Sequence, residues 1–312
     1  MTTYAPGIKE FVDRCNAAMP PDFYTYALQE QRRLYQNLTI EFPYELPDDV
    51  SWYQQNLEYD GNSLAFRLYE PHHLESDGLV IYIRGGGFVV GSLDTHHTVT
   101  AEIASKAAVK VMAVDFRLAP EHPFPSALED CYNAVVYAKE NASTLGIDPN
   151  NIVIAGDSSG GNMAVVIAMM CRDRNGPKLS GQALISPVLD FTRWRNGGDD
   201  APLLTGGEME FYTACYAPKA STVSHPYVSP LVSGRFDNLP MAYIMSAEKD
   251  SLAIDAKQYA KLLREHEVDV ELVIEPGLVH SAIRARALSE GVQDAWDRYC
   301  LKIRAMLARK EA

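Results

Sequence analysis

The residues best suited to covalent chemistry are Gly156-Asp157-Ser158-Ser159-Gly160, which fit the spacing G-x-S-x-G. They stand between an apolar run at 151–155 and a helical pattern at 159–174. A strand that turns sharply into a helix leaves little room for Cβ atoms, so glycines two before and two after Ser158 suit such a turn. The turn lifts the Ser158 hydroxyl to the C-terminal edge of the sheet. There it meets a helix N-terminus, whose dipole and free N–H groups favour developing negative charge. Ser159 is the poorer nucleophile, because Asp157 rather than Gly lies two residues before it.

A serine hydroxyl needs a base, and the base an orienting acid. In strand–turn–helix hydrolases both follow the serine, on loops after later strands. Of the eight histidines, only His225, His266 and His280 follow Ser158. His225 precedes the late strands and His266 lies in a charged helix end. His280, reached from the strand at 270–274 through Glu275-Pro276-Gly277-Leu278-Val279, is the expected base. The expected acid is Asp250, in the loop after the strand at 241–246, with Glu248 in reserve; Asp255 already falls within the next helix. Asp250 also suits a helix N-cap, and the two roles are compatible. Acyl transfer further needs donors for an oxyanion. Gly85-Gly86-Gly87 follows a strand at 79–83, and the N–H groups of Gly85, Gly86 and Ser159 would form a three-donor hole. A dinucleotide fingerprint fails because position 90 is Val90, and neither glycine run leads into the Lys-Ser/Thr of a phosphate loop.

The elements that must position these groups alternate. Helical patterns before and after Pro20-Pro21 open the chain. Strands at 52–59 and 63–69 meet at Asp60-Gly61-Asn62, a hairpin signal. Short apolar strands at 79–83, 110–114, 151–155, 179–185, 241–246 and 270–274 then alternate with helices at 95–108, 126–141, 159–174, 253–266 and 283–309. Such βα alternation means an α/β fold, a mostly parallel sheet with helices on both faces. Residues 190–220 interrupt it, with one helix near 208–216, and read as a lid over the site. The same alternation excludes a trypsin-like protease, whose GDSGG the serine motif also resembles.

Composition narrows the partners. The 312 residues carry 28 Lys+Arg against 41 Asp+Glu, a net charge of −13. A negative surface disfavours nucleic acid and anionic membrane. Five scattered cysteines without C-x-x-C argue against a disulfide framework or zinc site and for a reducing, cytoplasmic setting. Neither a signal peptide nor an apolar run long enough for a bilayer is visible. The pairs His72-His73 and His96-His97 lack further ligands, and no metal site is expected.

Gly85-Gly86-Gly87-Phe88 with Gly91 and Asp94, Asp115-Phe116-Arg117-Leu118-Ala119-Pro120-Glu121-His122-Pro123-Phe124-Pro125, Gly156-Asp157-Ser158-Ser159-Gly160-Gly161, Asp250-Ser251-Leu252 and Gly277-Leu278-Val279-His280 together resemble one family. It is the hormone-sensitive-lipase-like family of α/β-hydrolase carboxylesterases, of the bacterial acetyl esterase type. The resemblance spans about residues 78–285. It implies an α/β-hydrolase core at 51–189 and 221–312, with a helical cap built from 1–50 and the 190–220 insertion. It further implies a serine carboxylesterase of short- to medium-chain esters that works through an acyl-enzyme without cofactor or metal. Ser158 would be the nucleophile, His280 the base and then acid, Asp250 the orienting carboxylate, and Gly85, Gly86 and Ser159 the oxyanion hole. The implied partner is a small-molecule ester, and many members pair as homodimers through a sheet edge.

Two positions depart from the family pattern. Ser251 stands where Pro is usual, and Arg84 stands where His usually opens the glycine run. Arg84 leaves three consequences open: a tolerated swap, a preference for esters bearing a carboxylate, or a misshapen hole. The alternatives to an esterase are an amide or carbamate hydrolase and a catalytically weak ligand-binding protein on the same fold.

Overall fold

The computed structural model of the chain describes residues 3–308. Two amphipathic helices come first, α1 (Ile8–Ala18) and α2 (Leu28–Glu41). Each buries one stripe at helical spacing: Ile8, Phe11, Val12 and Cys15 in α1, and Gln31, Leu34, Tyr35 and Leu38 in α2. The hairpin β1 (Val50–Tyr59) and β2 (Asn62–Pro71) follows, with Asp60 and Gly61 both at positive φ, as a tight two-residue turn requires.

From there strands and helices alternate. The first stretch runs β3 (Leu79–Ile83), α3 (His97–Ala107), β4 (Lys110–Val114), α4 (Ser126–Glu140) and the single turn α5 (Ala142–Leu145). Then come β5 (Ile152–Asp157), α6 (Ser159–Asp173), β6 (Gly181–Ile185), α7 (Gly206–Tyr216) and the short α8 (Ala220–Val223). The chain closes with β7 (Ala242–Lys249), α9 (Ala253–Glu265), β8 (Val270–Val279) and α10 (Glu290–Leu307).

The described strands form one sheet in the order β1-β2-β4-β3-β5-β6-β7-β8. β1 and β2 pair antiparallel, as do β2 and β4, and every later pair is parallel. All residues of β3, β5 and β6 are buried, because helices cover both faces. α3 packs on α10 and α4 on α6. Parallel strands deliver the loops after β3, β5, β7 and β8 to one edge, and these loops carry Gly85–87, Ser158, Asp250 and His280.

One helix boundary differs from the sequence expectation of 283–309. The chain instead makes a 3-10 turn at Ala282–Ala285 and begins α10 only at Glu290; Arg309 lies outside the described residues. Ser281 takes a left-handed conformation (φ 60°), which turns the chain off β8 and packs 282–285 against α1. The interruption at 190–220 contains α7, entered two residues earlier than expected because the Thr205 hydroxyl accepts the Glu208 N–H at 3.1 Å as an N-cap. It is fastened to the core where the buried Asp255 carboxylate on α9 accepts the N–H groups of Leu189 (2.7 Å) and Asp190 (3.1 Å) and pairs with Arg193.

Two glycine-to-alanine substitutions measure how tightly β5 and α6 meet β3. A Cβ on Gly160 would collide with the carbonyl oxygens of Ile83 and Arg84, whereas one on Gly291, in the first turn of α10, meets nothing closer than 3.8 Å. In urea unfolding, Gly160→Ala should lose about 3 kcal/mol or more. Gly291→Ala should gain about 0.5–1 kcal/mol, as a helical glycine replaced by alanine does.

Candidate active site

Ser158 connects β5 to α6 at φ 53°, ψ −117°, a strained conformation for a residue with a side chain. The strain is held by backbone packing. Its N–H donates to the Ile185 carbonyl at 2.8 Å, while Gly156 and Gly160 press on each other and on the Ile83 carbonyl where no Cβ would fit. The hydroxyl is thereby presented to a cavity of about 200 Å³.

His280 meets it from the end of β8, with Nε2 3.1 Å from Ser158 Oγ. On the other side, Nδ1 lies 2.7 Å from Asp250 Oδ2. A carboxylate only accepts, so Nδ1 carries the proton and Nε2 is left to accept from the serine. The second Asp250 oxygen accepts the Leu252 N–H at 2.9 Å. Burial works against protonation of His280, but the charge and hydrogen bond of Asp250, with smaller contributions from Glu208 and Asp157, outweigh it and raise the pKa above 6.5. The reserve acid Glu248 has a different contact: it accepts the Gly277 N–H at 2.7 Å in the segment leading to His280. His225 is exposed beside Phe124 and Tyr227, and His266 bonds the Leu262 carbonyl on its own helix, so neither reaches Ser158.

The glycine run departs from expectation. Gly85 is buried, and its N–H donates to Asp157 Oδ1 at 2.9 Å, so it is not free for an oxyanion. Gly86 and Gly87, at φ 127° and 56°, line the cavity together with Ser159. Of the three glycines, Gly86 and Gly87 reach the cavity, whereas the Gly85 N–H is spent on Asp157. The anchor is Asp157, which also accepts from the Tyr82 hydroxyl at 2.7 Å and faces His96 Nε2 at 3.5 Å.

This geometry coincides with a match to the model of the alpha/beta hydrolase fold over residues 80–284. The carboxylesterase NlhH of Mycobacterium tuberculosis is 37% identical over 253 residues, 78% of this chain and 79% of its own length. An arylesterase of Saccharolobus solfataricus is 30% identical over 299 residues, 92% and 94% of the two chains. The solved hyperthermophilic esterase from Pyrobaculum calidifontis superposes with a TM-score of 0.88 at 29% identity, covering 98% of this chain and 100% of that one. The chain belongs to the α/β-hydrolase fold family. Within it, the chain falls in the hormone-sensitive-lipase-like group that its motifs resemble.

For an α/β-hydrolase of this group, Arg84 is the unusual residue, and it does not line the cavity. It is 3% exposed, its guanidinium carbon 4.1 Å from the centroid of the Phe116 ring. Nη2 donates to the Gly91 carbonyl at 3.0 Å and meets Asp115 Oδ1 at 3.3 Å. Arg84 thus braces the far end of the glycine loop and faces away from the substrate space, so the suggestion that it selects carboxylate-bearing esters is corrected. Ser251, the second departure, leaves a buried hydroxyl without a partner.

The sequence reading passed over several cavity residues. Tyr35, Glu208 and Arg284 line the cavity with Cys15, Met19 and Tyr212. Tyr216, on the same helix as Tyr212, packs against the loop, stacking on Phe88 with centroids 3.7 Å apart. Asp157 passed as the free letter of G-x-S-x-G, although an acid at the end of a fully apolar strand is itself a signal.

Asp157 also yields a stability test. Burial alone would raise its pKa, but His96, Tyr82 and the Gly85 N–H together hold it down at about 2, against 3.8 for a free carboxyl. A depressed carboxyl stabilises the fold above the unfolded value, and that stabilisation is lost as pH falls from about 4 through about 2. Asp157→Asn should therefore remove about 2 kcal/mol of pH-dependent stability across this window, measured by urea unfolding at stepped pH.

Proposed function

We propose that this chain is a serine carboxylesterase acting on short- to medium-chain esters, with Ser158, His280 and Asp250 as its catalytic residues. The single observation that carries the reading is the continuous line from Asp250 Oδ2 through His280 to Ser158 Oγ, at 2.7 and 3.1 Å, opening onto the cavity. The esterase names of the relatives agree with it.

Ser158 Oγ attacks the ester carbonyl carbon while its proton passes to His280 Nε2. The carbonyl oxygen becomes an oxyanion facing the N–H groups of Gly86, Gly87 and Ser159, donors set in place before the reaction begins. His280, now a cation stabilised by Asp250, returns the proton to the departing alcohol oxygen as the C–O bond breaks. Water then repeats the sequence on the acyl-enzyme, releasing the acid and restoring the serine.

Residues 1–50 and 190–220 serve as the cap: Cys15, Met19 and Leu38 from one and Leu203, Met209 and Tyr212 from the other line the cavity around Ser158. A volume of about 200 Å³ suits acyl chains of a few carbons. The ligand-binding alternative rested on Arg84 spoiling the hole, and Arg84 instead braces that loop. Nothing in the site favours amide or carbamate hydrolysis. The reading extends to the cytoplasm, supported by five unpaired cysteines, and to a homodimer through an outer strand, for which β1 and β8 are the available edges. No helix among the described residues is long and apolar enough to cross a membrane.

Hydrolysis of p-nitrophenyl acetate, butyrate and octanoate tests the reading and sizes the acyl pocket. Ser158→Ala should lower kcat by at least about 10⁴-fold and abolish labelling by a fluorophosphonate; an unlabelled, inactive wild type would sink the proposal.

A second expectation follows from the raised pKa of His280. The base must be neutral, so kcat/KM should fall as pH drops through a midpoint above 6.5. Asp250→Asn should move that midpoint to lower pH and cut kcat on the order of 10⁴-fold.

A further inference from the structure

Arg284 lies four residues beyond His280, on the 3-10 turn at Ala282–Ala285, in the wall of the Ser158 cavity. It is 8% exposed. Its Nη1 donates to the Thr95 carbonyl at 3.4 Å, the Tyr35 hydroxyl also bonds the guanidinium, and its Nη2 has no partner. The guanidinium carbon lies 5.1 Å from the centroid of the Tyr35 ring. Among the described residues it forms no ion pair, whereas the other buried arginines, Arg84 and Arg286, meet Asp115 and Glu102. Asp157 acts on Arg284 through space, but its oxygens are engaged by Gly85, Tyr82 and His96.

Burial opposes the charge of Arg284, but Tyr35 and Asp157 outweigh it, so the group stays a cation with Nη2 free for an anionic partner. The planar fork of a guanidinium suits a carboxylate, which accepts two parallel N–H bonds. Arg284 shares the cavity with the nucleophile, so an anionic group on a bound ester can reach it.

We propose that Arg284 is a specificity-determining residue, and that the preferred substrates are esters carrying a second, free carboxylate that pairs with its guanidinium while the ester carbonyl sits at Ser158. This deepens the esterase reading and rests on it. Met19, Leu38, Phe88 and Met209 line the same cavity and supply apolar wall for the methylenes between the two groups. Glu208, the carboxyl that residues 190–220 bring to the cavity, would repel such an anion if charged. Burial raises its pKa to about 7, so at and below neutral pH a large share of it is uncharged.

The test compares matched esters by pH-stat titration. Monomethyl succinate, glutarate and adipate place the carboxylate in the acyl half, against methyl butanoate, pentanoate and hexanoate. 4-Acetoxybutanoate places it in the alcohol half, against butyl acetate. Wild type should prefer at least one carboxylate ester over its neutral match by about tenfold or more in kcat/KM, chiefly through a lower KM. The responsive series then tells which half of the ester faces Arg284. Arg284→Met should lower that preference by about tenfold, and Arg284→Lys should restore part of it. Equal use of charged and neutral esters by wild type would overturn the proposal without any variant, as would a preference that Arg284→Met leaves intact. If wild type hydrolyses neutral and charged esters alike at no measurable rate, the esterase reading fails and this inference falls with it.

Discussion

The bond between the Asp157 carboxylate and the Gly85 N–H joins the two halves of the site. Asp157 ends β5 immediately before the nucleophile, and Gly85 begins the loop after β3, the neighbouring strand. Nothing covalent connects those segments at short range. Their relative position is set by the parallel ladder, in which Ile83 faces Gly156, and by this single buried carboxylate one residue beyond it. Gly86 and Gly87, next in the loop, line the cavity at positive φ, and Ser158, next after Asp157, lines it at φ 53°. A neutral side chain could fill the same space, but hydrogen bonds to a charged acceptor are stronger, and here a charge is kept desolvated by satisfying it from three directions.

Much of this was legible in the sequence. The alternation of short apolar runs and helices located the sheet, because strands buried on both faces cannot be amphipathic. Glycine spacing located Ser158, because only a Cβ-free neighbour passes the Ile83 carbonyl. Chain order selected His280 and Asp250. What escaped was information carried by contacts between distant segments. Gly85 and Gly86 are the same letter, and only the position of Asp157 decides which N–H is spent on structure and which faces the cavity. Arg84 drew attention because it broke a pattern, yet its side chain leads to Asp115, Phe116 and Gly91. Arg284 drew none because a helix was expected through 283–309, where an arginine would sit on a solvated face. The left-handed Ser281 delays the helix and turns Arg284 inward.

The cap and the core are coupled through the same loop. Phe88, directly after the glycines, stacks on Tyr216 of α7, an aromatic contact contributing about 0.5–1.5 kcal/mol beyond its burial. Arg32 of α2 donates to the Val89 carbonyl at 3.0 Å and makes a two-pronged pair with Glu121, both contacts at 2.8 Å. Both α2 and α7 therefore bear on residues 88–89, adjacent to Gly86 and Gly87. Displacing either segment would be felt at Gly86 and Gly87 before it changed the line from Asp250 to Ser158.

The buried charges divide according to what surrounds them. Asp157, Asp250 and Arg84 each have fixed protein partners, and each orients a piece of backbone or a histidine. Asp157 and Asp250 gain little from a ligand, because pairing elsewhere would first break what they already have; Arg84, whose Nε and Nη1 have no partner, lies outside the cavity. Arg284 and Glu208 lie in the same cavity wall without an ion-pair partner, one a permanent cation and the other held near its neutral form by burial. Glu208 bonds Tyr212 and helps hold the proton on His280, while Arg284 keeps Nη2 free of any protein partner at the cavity. Asp157, Asp250 and Arg84 bear on the loops and the histidine, whereas Arg284 and Glu208 face the cavity without an ion-pair partner, and the two sets have different tasks. The first set builds the geometry that any ester would use, and the second determines which ester arrives in it.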